Sequence, residues 1–325
     1  MLMKAIAWTR YGSPDVLELR EMEKPSPKAG EVLVRVHAAP VTRADTMMRT
    51  GTPYFGRLML GFTKPKYPVP GTGFAGQVEA LGEGVDRFQT GDRVFGETTV
   101  HFGAHAEYVC VPADGIIARL PDHISYEEAA PVSDGALTAL NFLKKIGRLR
   151  AGQKVLINGA SGSIGTAAVQ LAKQMGADVT GVTSTRNLGL VRSLGADQVV
   201  DYTQEDFTRS GEQYDLIFDT VGKSSFGQSK RALTRNGVYL SPVLSFPLLL
   251  QMFWTAGFSR RKAKFSATGL LPPAELRTLL EELRDLLAAG RLKTVIDKRY
   301  NLEQVPDAHR YVDEGHKRGS VVVKG

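Results

Sequence analysis

Residues Ile157 to Ala177 read "INGASGSIGTAAVQLAKQMGA", with Gly159, Gly162 and Gly165 three apart between an apolar run and a helical repeat. No other stretch restricts the fold of this chain so tightly. The preceding "KVLIN", Lys154 to Asn158, is short, apolar and partly branched, as a buried strand is. Downstream, Ala167, Ala168, Leu171, Ala172 and Met175 recur at helical spacing, and Gly176 is placed to end the helix. On a strand-to-helix turn, three glycines meet three needs: a bend in the backbone, close approach of a ligand, and close contact of helix with strand. The free N–H groups at the start of such a helix face an anion, most often a pyrophosphate. A bound dinucleotide is therefore expected.

The next strand, "DVTGVTS" from Asp178 to Ser184, bears on which dinucleotide. An NAD-specific site carries an acidic residue at the end of this strand, where it takes the ribose hydroxyls. This chain has Thr183, Ser184, Thr185 and Arg186 instead. A carboxylate would repel a 2′-phosphate, whereas a hydroxyl and a guanidinium bind one. NADPH is the expected cofactor.

Short alternating runs and frequent turns fill the chain up to about Leu120, among them "EVLVRVHAA", "GFAGQVEALG" and "HAEYVCVP". They describe a mostly β domain. From Tyr126 the pattern changes. "SYEEAAPVSDGALTALNFLKKIG" reads as helical, and then "KVLIN", "DVTGVT", "DQVVDY", "YDLIFDTVG" and "GVYLSPV" alternate with helical segments. Such alternation builds a doubly wound parallel sheet, so the fold class is α/β with a second, mostly β domain. "PPAELRTLLEELRDLLAAG" is an amphipathic helix opened by Pro272 and Pro273, striped by Leu276, Leu279, Leu280, Leu283 and Leu287, and ended by Gly290. The terminal "SVVVK" is expected to close the sheet of the first domain.

A length of 325 residues agrees with two domains, and 23% charged residues with a soluble protein. The single cysteine, Cys110, leaves no internal disulfide and suits a reducing, cytoplasmic compartment. The start, "MLMKAIAWTRYG", reads as a first strand and lacks the apolar core of a signal peptide. A net charge of +7 without a basic cluster interleaved with aromatics makes nucleic acid an unexpected partner. The most apolar segment, Pro242 to Phe258, is shorter than the roughly 20 residues of a membrane span and is interrupted by Pro247. Peripheral membrane contact, with Arg260, Arg261 and Lys262 at headgroup level, is one reading of it. A wall of the substrate pocket or a subunit interface is favoured, because either buries the run. A homodimer through the strand near Val238–Leu240 and this segment is expected.

Taken in order, "GDRVFG", "GAHAEYVCVP", "LTAL", "NGASGSIGTAAVQLAK", "LGADQVVDY", "FDTVG" and "GHKRGSVVV" resemble the medium-chain dehydrogenase/reductase superfamily, most closely its zinc-free quinone oxidoreductases. The resemblance implies a GroES-like catalytic domain over residues 1–123 and 292–325, a Rossmann domain over 124–291, and an active site in the cleft. It implies that Ser163, Ile164 and Gly165 hold the pyrophosphate, while Ser184, Arg186 and Tyr202 line the 2′-phosphate pocket. Thr138 and Thr220 then approach the nicotinamide half and the ribose, and Lys317 and Arg318 of "GHKRG" reach the phosphates. Zinc-dependent relatives carry a cysteine where this chain has Thr42, and a His-Glu pair where it has Thr72 and Gly73. Catalytic zinc wants three protein ligands and an open position. The remaining pair, His101 and His105 in "HFGAH", falls on a loop because of Gly103 and the strand that follows. No bound metal is expected. The "NPxD" usual in relatives is here Thr42, Arg43, Ala44 and Asp45, so a hydroxyl replaces the amide that orients nicotinamide or substrate.

Without a Lewis acid an alkoxide lacks a strong stabiliser, so simple alcohols are poor substrates. Quinones and conjugated enones spread the charge of an added hydride onto an oxygen that hydrogen-bond donors can hold. Thr42 and Tyr54 are the candidate donors, with Asp45 orienting their loop. A metal-independent carbonyl or alcohol dehydrogenase, and a nucleotide-binding scaffold with little turnover, are the rival readings.

Overall fold

Short branched runs broken by turns form seven strands in the first part of the chain. In the computed structural model, which describes residues 1–52 and 54–325, they are β1 (Leu2–Trp8), β2 (Leu17–Glu23), β3 (Glu31–Val41), β4 (Gly73–Leu81), β5 (Arg93–Glu97), β6 (Tyr108–Pro112) and β7 (Ile116–Arg119). Six follow in the alternating region: β8 (Lys154–Asn158), β9 (Asp178–Thr183), β10 (Gln198–Asp201), β11 (Tyr214–Asp219), β12 (Leu233–Ser241) and β13 (Lys262–Phe265). The last two are β14 (Ile296–Asn301) and β15 (Ser320–Lys324).

Two units result: Met1–Asp134 with Gly269–Gly325, and Gly135–Thr268. In the first, strands run in the order β14-β15-β3-β4-β5-β7, with β6 also paired to β3. Its core gathers Val32, Val34, Phe74, Val94 and Ile117, all removed from solvent. The terminal β15 enters this sheet antiparallel to β3, with Val321 opposite Val41, as the "SVVVK" run implies. The leucine-striped helix, Pro273–Ala288, also belongs to this unit and buries all five leucines. Arg277 donates to the Asp114 carbonyl, Arg87 meets Glu281 at 2.8 Å, and His123 bonds the Ala288 carbonyl. The chain divides at Asp134 and Gly269. An apolar stripe says that a helix is buried, but not which sheet it covers.

All strands of the second unit are parallel, in the order β10-β9-β8-β11-β12-β13. Strand order reverses between β8 and β11, the point where a doubly wound sheet binds its ligand beyond the carboxyl ends of its strands. Tyr126 to Ile146, read as helical, forms four short helical segments of different pitch, with Pro131 lacking an N–H to donate. Phe246–Phe258, read as an apolar run interrupted by Pro247, is a helix. The Ser245 hydroxyl accepts from Leu248 N, and Pro247 lies in the first turn, where its missing N–H costs nothing. β13 then pairs with β12, so Val238–Leu240 is flanked on both sides and cannot offer a sheet edge to a second copy. No helix of the described residues is long and apolar enough to cross a membrane.

Candidate functional site

The three glycines of the β8 turn divide their labour by geometry. Gly159 has φ +80°, the left-handed region where a side chain is strained, and a Cβ there would lie 2.7 Å from the Thr220 hydroxyl. Gly165, on the helix Ser163–Gln174, faces the loop backbone; a Cβ would collide with the Gly159 carbonyl and sit 2.7 Å from Ala160 Cα. Gly162 caps that helix, and the nearest atom to its missing Cβ is 3.5 Å away, so its face is open. The helix thus begins at Ser163 and Ile164, both half-buried, with first-turn N–H groups that the helix itself does not bond. Gly135, on the short helix Gly135–Leu140 that also carries half-buried Thr138, lies against Ser163, whose hydroxyl would be 2.5 Å from a Cβ. Thr220 donates its hydroxyl to the Asn158 carbonyl at 2.8 Å.

Asp219, at the end of β11, holds this corner together and was not singled out from sequence although it lies within "FDTVG". Its carboxylate accepts from Asn158 Nδ2, Gly222 N, Ser224 N and the Tyr239 hydroxyl, all at 2.8–3.0 Å. Burial and that carboxylate push the Tyr239 phenol well up. Six acceptances from one group make Asp219 a brace for the loop rather than a reactive acid.

The adenosine end is built by β9 and β10. Asp201 pairs in register with Thr183, and Tyr202 N donates to the Thr183 carbonyl, which brings Tyr202 and Ser184 to the same sheet end. Arg186 and Tyr202 are exposed and Ser184 is half-buried. The Ser161 hydroxyl, also missed from sequence, receives Thr183 Oγ1 at 2.8 Å and Asn187 Nδ2 at 3.1 Å, pinning the turn that follows β9. A carboxylate does stand nearby: Asp201. Its two oxygens are taken by the Thr185 hydroxyl and by Thr203, which hold it below the usual carboxylate range.

In the other unit Thr42 and Asp45 form a closed pair. Thr42 N and the Thr42 hydroxyl both donate to Asp45 Oδ2, at 2.8 and 2.7 Å, while Asp45 N donates back to the hydroxyl. This capping box starts the helix Arg43–Thr50. A threonine has one hydroxyl proton, so Thr42 gives its proton to Asp45 and has none left for another acceptor. Asp45 Oδ1 is buried without a partner, and burial raises this carboxyl.

Two further carboxyls gather around the Thr72–Gly73 position. Glu97 belongs to β5 and pairs with Gly73 of β4, and Thr98 N donates to the Thr72 carbonyl at 2.8 Å. Ser133, next to Asp134, presses on Gly73, where a Cβ would be 2.9 Å from its hydroxyl and 2.7 Å from Pro40 Cγ. Burial, with the mutual charges of Asp45 and Asp134, pushes Glu97 well up, and burial with Asp45 lifts Asp134 to about 7. Both keep part of their surface open. Lys317 lies close enough to Asp134 to be felt by it; burial lowers its ammonium to about 8, and it donates to the Gly319 carbonyl at 2.7 Å. Arg318 is exposed, with its N–H on Asp297. The lone acid in "APVSDGALTAL" was the sequence signal for Asp134, and it went unread.

Tyr54 stands in solvent, 72% exposed, with the Arg57 guanidinium 4.9 Å over its ring. His101 and His105 part company: His101 is exposed, whereas His105 is buried with Nε2 donating to the Pro40 carbonyl at 3.0 Å. Zinc ligands do not fit here. Thr42 is committed to Asp45, Gly73 has no room for a side chain, and no group of three His, Cys, Asp or Glu among the described residues is arranged around a metal.

Comparison with known proteins agrees with both halves. An alcohol dehydrogenase GroES-like domain matches residues 28–122, and a zinc-binding dehydrogenase domain matches 194–323. The chain is 31% identical to the 2-methylene-furan-3-one reductase of Solanum lycopersicum, over 99% of this chain and 79% of that one. The quinone oxidoreductase from Coxiella burnetii superposes with a TM-score of 0.90 at 30% identity, covering both chains fully. This chain belongs to the medium-chain dehydrogenase/reductase superfamily, in its quinone oxidoreductase-like branch. Among the solved members of that branch, the Escherichia coli quinone oxidoreductase complexed with NADPH superposes with a TM-score of 0.86 at 26% identity, covering 99% of this chain and all of that one. As a member of the superfamily, the chain carries the glycine turn on β8, with threonine at 42 and 72 and glycine at 73.

Proposed function

We propose that this protein is an NADPH-dependent reductase of quinones and conjugated enones that works without zinc in the cytoplasm, as a homodimer. The glycine turn carries the reading: it is shaped for a pyrophosphate, and Ser184 and Arg186 stand where an NAD-binding carboxylate would be. When bound, NADPH supplies the hydride. The N–H groups from Gly162 to Gly165 hold its pyrophosphate, Ser184, Arg186 and Tyr202 its 2′-phosphate, and Thr138 and Thr220 its other half, with Lys317 and Arg318 adding positive charge. Relatives that reduce quinones and 2-methylene-furan-3-one support the substrate class. The parallel sheet has two edges, β10 and β13. Cys110, its thiol pushed up to about 11 by burial, stays protonated and has no disulfide role.

Side chains or water supply the proton that follows hydride. Asp45, Glu97 and Asp134 crowd together, so not all can ionise at neutral pH. Asp134 and the Tyr54 phenol are the proposed proton sources, and Thr42 with Asp45 sets the loop. Purified protein should oxidise NADPH with a quinone or an α,β-unsaturated ketone and keep that rate after exhaustive chelation. Loss of activity on chelation, or faster oxidation of simple alcohols, would overturn the reading.

A pH experiment tests the carboxyl cluster. The groups around Asp134 are Asp45, Glu97 and Lys317, with His105 facing Asp45 and Asp297 facing Lys317. Asp134 has its proton below about pH 7, so enone reduction in the wild type should decline as pH rises through that value. Asp134→Asn should flatten the decline and slow the reaction about tenfold or more on the acid side. Stability changes in the same window. A carboxyl raised from 3.8 to about 7 contributes stability that is complete below 3.8 and lost as pH rises through about 7. Above it Asp134→Asn should be the more stable protein, by on the order of 2 kcal/mol in urea unfolding. Parallel pH profiles for variant and wild type would remove Asp134 from the reaction.

A further inference from the structure

The helix Phe246–Phe258 is apolar all round and yet lies on the surface. Leu248 and Thr255 turn inward and are buried, and Met252 packs on the same core. On the other side Phe246, Leu249, Leu250, Phe253, Trp254 and Phe258 are 44–80% exposed. Their spacing of three and four residues makes them one continuous stripe. A helix with no polar face belongs in a core or in lipid. At 13 residues it is about 20 Å long, too short for a hydrocarbon core of roughly 30 Å, so it can lie on a bilayer and not cross one.

The charge around the stripe names the partner. Between Asp219 and Glu275 there is no acidic residue, whereas Lys223, Lys230, Arg231, Arg235, Arg260, Arg261, Lys262 and Lys264 all fall there. The whole chain carries a net +7, so this stretch supplies all of the excess and the remainder is close to neutral. Structure places several of these cations at the helix. Lys230 Nζ is 5.5 Å over the Trp254 ring, and exposed Arg260 follows Phe258 by two residues. Arg261 is tied to the Leu233 and Thr234 carbonyls, and Lys262 to the Thr255 and Ala256 carbonyls at the helix end. Aromatic side chains that enter the headgroup boundary, with Lys and Arg beside them and no acid in that stretch of chain, are the make-up of an interfacial helix on an anionic membrane. A second copy of this chain would instead bring the same positive charge against itself.

We propose that the helix Phe246–Phe258 docks the protein on the surface of anionic phospholipid bilayers, with the aromatic stripe in the acyl boundary and the neighbouring cations on the headgroups. The full chain should cosediment with vesicles of phosphatidylcholine and phosphatidylglycerol, far less with phosphatidylcholine alone, and should be released by salt. Trp254 reports the contact directly, because it is half-exposed while the other tryptophan, Trp8, is buried. Its emission should shift to the blue on the anionic vesicles. Phe253→Ser with Trp254→Ser should lower vesicle affinity at least tenfold without lowering the thermal midpoint, since both side chains already face water. Phe253→Ser alone keeps the reporter and should weaken both binding and the blue shift. Equal affinity of wild type and double variant would overturn the proposal. So would absence of binding, with the double variant turning a dimer into a monomer by light scattering; a second copy would then cover the face.

Discussion

Gly165→Ala is expected to abolish NADPH binding and to cost about 2–3 kcal/mol of stability. The added methyl has nowhere to go. It would strike the Gly159 carbonyl oxygen and stand 2.7–2.8 Å from Ala160 Cα and C, and all of these are backbone atoms that no rotamer change can move. The helix Ser163–Gln174 would have to back away from β8 and carry its first-turn N–H groups with it. Denaturant unfolding and a fluorescence titration with NADPH would read the two effects. Gly162→Ala supplies the contrast: with 3.5 Å to the nearest atom the fold accepts the methyl, but the cofactor does not. Stability should stay within about 0.5 kcal/mol, while NADPH affinity falls at least tenfold. Wild-type affinity in either variant would mean that the pyrophosphate does not lie on this turn.

Arg186→Ala should erase most of the discrimination between NADPH and NADH. Charge-assisted hydrogen bonds are individually worth about 1.5–3 kcal/mol, so the wild type should prefer NADPH tenfold or more. In the variant NADPH affinity falls toward that for NADH, which has no 2′-phosphate and should change little. Ser184 and Tyr202, brought to the same sheet end by the β9–β10 register, should keep a residual preference. Asp201 does not replace an NAD-type carboxylate, because Thr185 and Thr203 already occupy its oxygens. Titrating both nucleotides against both proteins decides it. Equal wild-type affinities, or an Arg186→Ala variant that still prefers NADPH tenfold, would reject the assignment.

Much of this was legible from local pattern. The strand before the glycines, the helix after them and the leucine stripe of Pro273–Ala288 lie where periodicity places them, since each is decided within a few residues. What lies across space was not legible in local pattern. The leucine helix covers the first unit, and Val238–Leu240 is shielded by β13, whose lysines at 262 and 264 gave no strand signal. Pro247 looked like an interruption and is the first turn of a helix, because a proline's effect depends on its position along the helix.

The sequence by itself determined the α/β class, the strand–glycine–helix turn and the superfamily. Each of these rests on residue type at fixed spacing, which folding does not alter. Only the tertiary structure decided that Thr42 spends its proton on Asp45, and that Asp134, Glu97 and Lys317 meet from three distant parts of the chain with their proton affinities shifted. It also decided that the apolar run 246–258 shows its aromatic face to solvent. Burial and charge neighbours are properties of the assembled fold, because desolvation and Coulomb interactions act through space between residues that no sequence window contains.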